Sequence, residues 1–421
     1  KLIHYFRQIP DYRCGREKRH DLGEMLVCVT LGFLCGRTTI RRSLKWCKTH
    51  LEELRKHMNL KYGIASPSTI TRMLNGIDEE LALYAFMEWI GEIVESRNTH
   101  LAIDGKALCG ATEKTKGETT PMLLNVVETV RGLILAQLPV DSKTNEITAI
   151  PELLKLLDIS GSIVTIDAVG TQTAIMEQIH EQGGHFVLTV KKNQPEAYEE
   201  IHTFMDKLGA EDLKRKKGEA MDPGMKEFLE KYEEISQMEK NRDRNEYRTC
   251  QICKDASNLT KSQKEWPHVQ SIGRIKQVRI PKEKDSQGND VTPSKEEFLE
   301  KGSRRIPAPS AGEGAGKDVQ CTALISDLIL TAEELGSIKR MHWSIENRLH
   351  HVLDDTFRED RSPAKKSRNN LSLIRKYAYN ILRLAMYETG LANIMTEMMD
   401  CFCDNAALRE RYVFQGIASL Y

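Results

Sequence analysis

The stretch Ile163-Val164-Thr165-Ile166-Asp167 decides the fold class, because it is a short apolar run closed by an acidic residue. Runs of this length between turn residues are typical of buried strands, and α/β sheets place functional residues where strands end. An earlier run of the same kind is Leu101-Ala102-Ile103-Asp104. The two runs therefore predict a buried sheet with a carboxylate at the end of each strand. For either aspartate alone, a turn-forming role is the better interpretation.

Further strands and helices surround these two runs. Helical patterns separate the later strands, so the order of elements predicts a mixed α/β sheet with parallel crossovers. The other predicted strands of this region are Met122–Val127, Leu133–Leu138 and Phe186–Val190, and the predicted helices are Ile150–Leu157 and Thr173–Gln182.

The N-terminal part of the chain has a helical pattern. Apolar residues recur every three or four positions in Leu22–Leu34, Ile40–Met58 and Leu81–Val94, which predicts a helical domain. Ser66 and Pro67 form a helix start before another apolar face, so a short capped helix is expected there. Because this helix could be the second one of a helix-turn-helix, we expect the domain to bind DNA.

The chain after Gln194 is more charged and predicts an insertion into the α/β core. Strand-like runs cover Tyr247–Cys253 and Val269–Ile280, and the polar segment Lys282–Asp318 predicts a linker. Strand Val319–Ile325 and helices Thr331–Leu353 and Leu371–Tyr387 complete the core. The predicted segments are 1–99 (helical), 100–194 (first part of the core), 195–318 (inserted strands and linker), 319–390 (completion of the core) and 391–421 (C-terminal tail).

The charge balance excludes a globally basic protein. Lys plus Arg and Asp plus Glu both number 61 in 421 residues, so contacts with a nucleic acid would have to come from local basic patches. Three basic clusters are Arg13–His20, Arg37–Lys48 and Lys365–Lys376. Such clusters are usually solvated helix faces, but each could also follow phosphates.

Cysteine usage and hydropathy bear on the compartment. The ten cysteines are scattered, which indicates a reducing cytoplasm. Cys250 and Cys253 lie in a strand-like run, where an offset of three places side chains on opposite faces, so we interpret them as structural rather than zinc ligands. The longest apolar stretch, Met25–Cys35, predicts a buried helix rather than a membrane span. No secretory signal is visible, and a chain that begins at Lys1 leaves its true N-terminus open.

A third candidate carboxylate, Glu346, lies in the predicted helix Thr331–Leu353. His342 precedes it by four residues and His350 follows by four, so the three side chains share one helical face. Taken alone, a solvated glutamate between satisfied histidines is the better interpretation, although such a face can also bind a transition metal. The combination with the two strand aspartates is what makes Glu346 a candidate.

Several motifs occur in order along the chain. They are Ile9-Pro10-Asp11-Tyr12-Arg13, Ile103-Asp104-Gly105-Lys106, Lys143-Thr144-Asn145-Glu146-Ile147, Thr165-Ile166-Asp167-Ala168 with Gln172, Lys192-Asn193-Gln194, and the long stretch His342 to Asp354 with Phe357, Glu359 and Asp360. Together they resemble the insertion-sequence transposases of the H-repeat-associated type, which are DDE transposases. The resemblance extends to about Arg375, so it covers most of the chain.

The resemblance implies a fold and a catalytic site. The fold would be a ribonuclease H-like mixed sheet with flanking helices, an inserted subdomain between Asp167 on the fourth strand and the Glu346 helix, and an N-terminal helical domain. Asp104, Asp167 and Glu346 would form the catalytic triad and hold two Mg²⁺ or Mn²⁺ ions, which prefer hard oxygen ligands. The residues expected to contact DNA or to position the triad are Lys106, Lys192, Asn193, Gln194, Arg244, Arg248 and His342.

The implied function is a DNA transposase that cleaves and transfers strands at the ends of an insertion sequence. Its expected partners are terminal inverted repeats and target DNA, with a homo-oligomer in the DNA complex and no membrane, in a bacterial cytoplasm at the nucleoid. One alternative is a ribonuclease H-like metal endonuclease without strand transfer. A second is a catalytically decayed, transposase-derived DNA-binding protein.

The chain departs from the family pattern at a few positions. Cys109 stands where an arginine is usual, and Arg242 and Asp243 replace the His-Gly that usually opens a motif continued here by Arg244 to Arg248. Within that motif, Arg244, Glu246 and Arg248 would share one strand face, which is either a DNA-facing edge or a solvated one. Trp343 is expected in the core.

Overall fold

The computed structural model describes residues 1–108, 120–140, 146–240, 244–259, 266–281, 283–284, 290–291, 319–418 and 420. Several positions that the sequence singles out lie outside these residues, namely Cys109, Lys143 to Asn145, Arg242, Asp243 and most of 282–318. The described chain divides into two compact units. Unit 1 contains residues 1–162 and 343–421, and unit 2 contains residues 163–342. The five segments that we expect from the sequence stay a prediction.

Unit 1 begins with helices and continues into strands. The helices are α1 (Leu2–Gln8), α2 (Leu22–Leu34), α3 (Ile40–Thr49), α4 (Leu51–Leu54), α5 (Pro67–Gly76) and α6 (Glu79–Gly91). The strands β1 (His100–Ala107), β2 (Met122–Glu128) and β3 (Leu133–Val140) follow, and then helix α7 (Glu146–Lys155). Strand β2 pairs antiparallel with both β1 and β3, so the three strands form a meander.

Unit 2 is built on a mixed sheet. Its strands are β4 (Ile163–Ile166), β5 (His185–Val190), β6 (Tyr232–Lys240), β7 (Arg244–Cys253), β8 (Ser271–Pro281), the short pair β9 (Glu283–Lys284) and β10 (Asp290–Val291), and β11 (Val319–Ser326). Its helices are α8 (Thr173–Glu181), α9 (Pro195–Lys217), α10 (Lys226–Glu230) and α11 (Ala332–Ile345), the last of which continues into unit 1. The sheet order is β4-β5-β11-β8-β7-β6, with β4 and β5 parallel and the other neighbours antiparallel.

The C-terminal part of unit 1 is helical. Two π-helical turns, Glu346–His350 and Val352–Thr356, follow α11, and the helices α12 (Arg368–Thr389), α13 (Met395–Asp404) and α14 (Ala406–Arg409) come next. Helix α12 packs against α2, α6 and β3. Each side chain from Asn369 to Leu382 is buried, so α12 forms the centre of the core of unit 1.

Polar side chains of α12 bind backbone groups inside that core. The Asn380 side chain accepts from the Ile134 N–H at 2.9 Å and donates to the Ile134 carbonyl at 2.7 Å. This pair of bonds lies beside the register shift between β2 and β3 at Val126 and Val127. Because a shifted ladder leaves backbone groups without strand partners, the asparagine amide satisfies them.

Helix α11 lies close to the sheet of unit 2. Its residues Leu335 and Ile338 pack with Cys250, Ile275 and other apolar residues of the strands. A Cβ atom at Gly273 on β8 would meet Leu335 Cδ2 at 2.4 Å, so only glycine permits this approach of helix to strand. The packing fixes the helix that leads to His342.

The α/β class and the mixed sheet are confirmed. Helix α2 and strand β4 have the predicted bounds, and Ser66 caps α5 by accepting from the Thr69 N–H. The ribonuclease H-like topology stays a prediction. The strands expected in an inserted region, β7 and β8, extend the main sheet of unit 2 because β8 pairs with β11.

Other boundaries differ from the predictions. The helix predicted over residues 40–58 breaks at His50, and the charged segment after Gln194 forms the 23-residue helix α9. Residues of the predicted tail 391–421 form helices as well, and the Arg409 guanidinium pairs with Glu53 at 2.8 Å. In the part of the chain that the structure describes, no helix is both long enough and apolar enough to cross a membrane.

Candidate active site

Asp104 lies inside strand β1 and not at its end, so the prediction that it closes its strand is wrong. The strand continues because Gly105, Lys106 and Ala107 pair with β2. Asp104 itself is opposite Asn125, and its Oδ1 accepts from the Gly105 N–H at 3.0 Å. The side chain of Asp104 is 32% exposed.

Asp167 follows the last residue of β4, as predicted, and begins a short 3₁₀ turn. Lys191 Nζ donates to Asp167 Oδ2 at 3.0 Å. Lys339 Nζ and His342 Nε2 each lie 3.9 Å from Asp167 Oδ1. Burial alone would raise the pKa of Asp167, but the Lys191 hydrogen bond and the charges of Lys339 and His342 lower it below its usual value. The carboxylate is therefore ionised at neutral pH.

The Lys192-Asn193-Gln194 motif supports the turn after Asp167. Asn193 Nδ2 donates to the Ala168 carbonyl at 3.0 Å, and Gln194 Nε2 donates to the Thr171 carbonyl at 2.5 Å. These bonds hold the turn in place, since amide side chains satisfy its carbonyl groups. Lys192 is exposed. In this motif, the two amide side chains therefore hold the turn by hydrogen bonds, and the lysine is exposed to solvent.

Glu346 lies where helix α11 changes its hydrogen-bond pattern. It is exposed and begins the first π-helical turn, in which the His351 N–H donates to the Glu346 carbonyl. This wider turn replaces the continuous α-helix predicted over residues 331–353. Single π-turns inside α-helices occur often at functional sites.

The two histidines that flank Glu346 each lie beside one of the aspartates. In unit 2, His342 Nδ1 is hydrogen-bonded to Thr165 Oγ1 at 3.0 Å, and its Nε2 lies near Asp167. In unit 1, His350 Nδ1 lies 3.7 Å from Asp104 Oδ2. Burial, assisted by nearby lysine charges, lowers the pKa of His350 to about 4, so its imidazole is neutral at neutral pH.

Lys106 is buried among carboxylates instead of facing solvent. Its Nζ donates to Asp354 Oδ1 at 2.5 Å and lies 3.4 Å from Asp360 Oδ1 and 3.6 Å from Glu359 Oε2. Burial alone would lower the pKa of Lys106, but the charge of Glu359 and the bond to Asp354 raise it. Lys106 thus carries its charge inside a group of acids.

The Arg244 to Arg248 run is not a sheet edge, so the prediction of an edge is wrong. Strand β7 pairs with β6 on one side and with β8 on the other. Arg248 and Glu246 are buried, and the Arg248 guanidinium contacts Glu239 at 3.3 Å and Glu246 at 3.7 Å. Arg244 is the first residue of the strand.

Some residues near the candidate carboxylates escape sequence reasoning. Lys191 precedes the recognised Lys-Asn-Gln motif by one position, and Lys339 precedes the histidine of the C-terminal motif by three. Glu359 and Asp360 appear in the motif but their pairing with Lys106 does not follow from spacing. These contacts cannot be predicted from spacing along the chain, because they form only when distant segments fold together.

The donor chemistry of Asp104, Asp167 and Glu346 fits a hard divalent cation. Among the residues that the structure describes, no group of three His, Cys, Asp or Glu side chains is placed to hold a metal ion. However, carboxylate oxygens are the preferred ligands of Mg²⁺ and Mn²⁺, and the side chains of Asp104 and Asp167 are 32% and 48% exposed. The triad itself stays a prediction.

Comparison with known families identifies the class of protein. Residues 95–381 match the family described as "Transposase DDE domain", and residues 3–90 match the family described as "DDE_Tnp_1-associated". The first match contains Asp104, Asp167 and Glu346. The chain therefore belongs to the DDE transposases, of the H-repeat-associated type.

Two relatives in sequence agree with this assignment. The chain is 28% identical to "H repeat-associated putative transposase YhhI" of Escherichia coli (strain K12), over 91% of this chain and 90% of the relative. It is 32% identical to "H repeat-associated putative transposase YbfD" of the same organism, over 46% of this chain and 77% of the relative. A solved structure of a piggyBac transposase synaptic complex with hairpin DNA aligns with a TM-score of 0.39 and 10% identity, over 98% of this chain and 77% of that one.

Proposed function

We propose that this transposase cleaves DNA at the ends of an insertion sequence and joins the cut strands to target DNA. Asp104, Asp167 and Glu346 would act as ligands of two Mg²⁺ or Mn²⁺ ions. The observation that carries the proposal is the position of the two histidines around Glu346. His350 lies beside Asp104 and His342 lies beside Asp167, while Glu346 is four residues from each of them along the chain.

This arrangement supports a shared role for the three carboxylates. One stretch of helix carries a neighbour of each aspartate, and Glu346 lies midway between those neighbours in sequence. The π-turn that begins at Glu346 places a local irregularity at that residue. Because such irregularities cost stability and persist where function requires them, the turn agrees with a catalytic glutamate.

The proposed chemistry is phosphodiester cleavage and transfer. Bound divalent ions would stabilise charge on the entering and leaving oxygens of the scissile phosphate. The protein would hold the carboxylates in place. Lys191 and Lys339 keep Asp167 ionised. His342 is held by its hydrogen bond to Thr165, with its other ring nitrogen near Asp167. Neutral His350 would position Asp104 without competing for its charge.

DNA is the proposed partner, through terminal inverted repeats and target DNA. We assign end recognition to the N-terminal residues 1–99, of which residues 3–90 match the family described as "DDE_Tnp_1-associated". Lys192 is exposed one residue from the cation that binds Asp167, which suits a contact with a DNA phosphate. A homo-oligomer in the DNA complex and a location at the nucleoid stay predictions.

The test is a cleavage assay on DNA that carries the element's ends. Asp104→Asn, Asp167→Asn and Glu346→Gln should each reduce metal-dependent cleavage by at least about a thousandfold, because each loses a charged ligand that the transition state needs. DNA binding should largely survive. The double variants should be no worse than the single ones, since a metal site destroyed once cannot be lost again.

The matched control is Asp355→Asn, an exposed acid on the neighbouring π-turn that pairs with His351 at 3.2 Å. This variant should cleave at the parent rate. Folded Glu346→Gln protein that also cleaves at the parent rate would overturn the triad. Cleavage without joining to a target would favour the endonuclease alternative, and DNA binding with neither activity would favour the decayed protein.

A further inference from the structure

A basic cavity of about 680 Å³ lies within unit 1, apart from the candidate carboxylates. Three segments that are distant in sequence line it: the start of α3, the helix α5, and the chain from Arg358 to Arg375. Its volume lies in the range of roughly 300 to 1,000 Å³ that is usual for ligand sites. The cavity therefore brings two of the basic clusters, Arg37–Lys48 and Lys365–Lys376, to one place.

The lining of this cavity is positively charged. Among the lining residues that the structure describes, no side chain carries a carboxylate. Five of the lining cations form no ion pair with any residue that the structure describes, although acids are as frequent as bases in the whole sequence. They are Arg41, Arg42, Arg358, Arg361 and Lys366. Because neighbouring cations repel one another, this arrangement does not stabilise the fold, but it suits the binding of a polyanionic ligand.

The N-terminus of one helix lines the cavity. The lining includes Thr39, which caps α3, whereas α5 lies alongside the cavity and contributes residues spaced by four from Pro67 to Asn75. Arg41 and Arg42 lie in the first turn of α3, where no acidic residue is present. Cations there oppose the helix dipole and are unfavourable, whereas an anion would be stabilised. The end of α3 and its two arginines therefore favour the same kind of ligand, an anion.

The backbone at the rim of the cavity is strained at Arg358. Its φ of +51° is left-handed, a conformation that non-glycine residues rarely adopt. The conformation turns the next residue, Glu359, inward to Lys106 and Arg375 at 3.6 and 3.7 Å, while Arg358 is exposed and lines the cavity. Strain of this kind often marks functional sites.

We propose that this cavity binds the sugar-phosphate backbone of a DNA strand, independently of sequence. The cations come from two segments that are distant in sequence, the start of α3 and the chain from Arg358 to Arg375, so one small anion cannot contact all of them, whereas successive backbone phosphates can. Arg375 lines the cavity and pairs with Glu359, which contacts Lys106 two residues after Asp104. The inference rests on the proposed function in taking DNA as the ligand.

The test measures binding of a random-sequence DNA duplex to the full chain in EDTA, over a range of salt concentrations. Arg41→Ala with Arg42→Ala should weaken binding severalfold or more and should reduce the slope of log K against log salt by about 2, near 0.9 for each lost phosphate contact. The melting temperature should stay the same or rise, because two unfavourable charges leave the first turn of α3. Inorganic phosphate at millimolar concentration should not displace the DNA.

The matched control is Lys45→Ala with Lys48→Ala. These two lysines are exposed on the same helix but do not line the cavity, so the control makes the same change of charge and should leave the slope near that of the parent. Arg358→Gly is a second variant that relieves the strained φ, and it should weaken DNA binding without loss of stability. It keeps the test open if the double variant does not fold.

Three outcomes would overturn the inference. They are a parent-like affinity and slope for both cavity variants, an equal loss in the lysine control, and displacement of DNA by inorganic phosphate. A parent chain that binds no duplex at all would overturn it as well. Failure of the proposed function is separate, because it appears as metal-dependent cleavage that survives in the triad variants, whereas this assay contains no metal and measures binding alone.

Discussion

Two lysines in unit 1 are buried to a similar extent but have opposite surroundings. Lys106 on β1 lies among Asp354, Glu359 and Asp360. Lys376 on α12 donates to two amide oxygens, Asn125 Oδ1 at 2.5 Å and Gln137 Oε1. Burial alone would lower the pKa of Lys106, but the carboxylates raise it, whereas burial lowers the pKa of Lys376 to about 7.

The difference shows that partners, and not burial, decide whether an amine in this core is charged. Carboxylates offset the desolvation of an ammonium group, while amide dipoles offset only part of it. Asn125 also pairs with Asp104 across the β1–β2 ladder. The surroundings of Asp104 therefore combine a firmly charged lysine with one that is about half protonated at pH 7.

The largest expected effect comes from Lys106→Met. This change would leave the buried Glu359 carboxylate and its two acidic neighbours without their central cation, and breaking a buried ion pair on one side costs about 3 to 5 kcal/mol. Chemical denaturation at pH 7 measures the loss. Lys155→Met is the control, because Lys155 forms an exposed pair with Glu152 at 2.8 Å and its removal should cost less than about 1 kcal/mol.

Loss of stability similar to that of the control would contradict the prediction. It would mean that the acids around Lys106 are protonated or hydrated in the fold. Lys106→Arg should then be compared, since it keeps the charge but adds volume, and a cost well below that of the Met variant would show that charge and not packing is the main contribution.

The second effect concerns pH and Lys376. Its folded pKa of about 7 lies below the unfolded value of 10.5, so between these values the unfolded chain binds one more proton. Stability from this group therefore rises with pH in that window and is lowest below pH 7. From pH 7 to 9.5 the expected gain is roughly 3 kcal/mol at 1.36 kcal/mol per unit.

Lys376→Met removes this dependence. The free energy of unfolding should be measured for parent and variant at several pH values from 7 to 9.5, because the difference between them cancels the other titrating groups. The parent should gain stability relative to the variant as pH rises. A constant difference would show that Lys376 keeps a normal pKa, and the contrast with Lys106 would then fail.

Much of the fold follows from patterns that local sequence carries. The strand Ile163–Ile166, the helix Leu22–Leu34 and the cap at Ser66 form as predicted, because each depends on a short apolar run or on capping chemistry. The helix Pro195–Lys217 is not predicted, although its apolar residues Ala197, Ile201, Phe204, Met205 and Leu208 repeat at helical spacing. Many charged residues lie between these apolar positions, so the segment is interpreted as a charged region and not as a helix.

Long-range contacts limit what the sequence predicts about the candidate site. Strand β1 extends past Asp104 because β2 offers it partners, and Asp104-Gly105 has no local feature that shows this. The role of Lys106 is also set at a distance, since Asp354 and Asp360 lie 248 and 254 residues away in sequence. The resemblance named these residues, but only the fold shows which of them bind one another.

The smallest expected effect is on Lys191, which extends the comparison to a cation outside the core. It pairs with Asp167 at 3.0 Å, as Lys106 pairs with acids, but the two side chains are 56% and 48% exposed. Water and salt screen such a pair, and holding a long side chain in one conformation costs entropy, so Lys191→Met should change stability by less than about 0.5 kcal/mol. Denaturation at low and high salt provides the measurement, with Lys192→Met, the exposed neighbouring lysine, as the matched variant. If Lys191→Met cost as much as Lys106→Met, exposure would not govern the strength of these ion pairs, and the turn that carries Asp167 would need its lysine to fold.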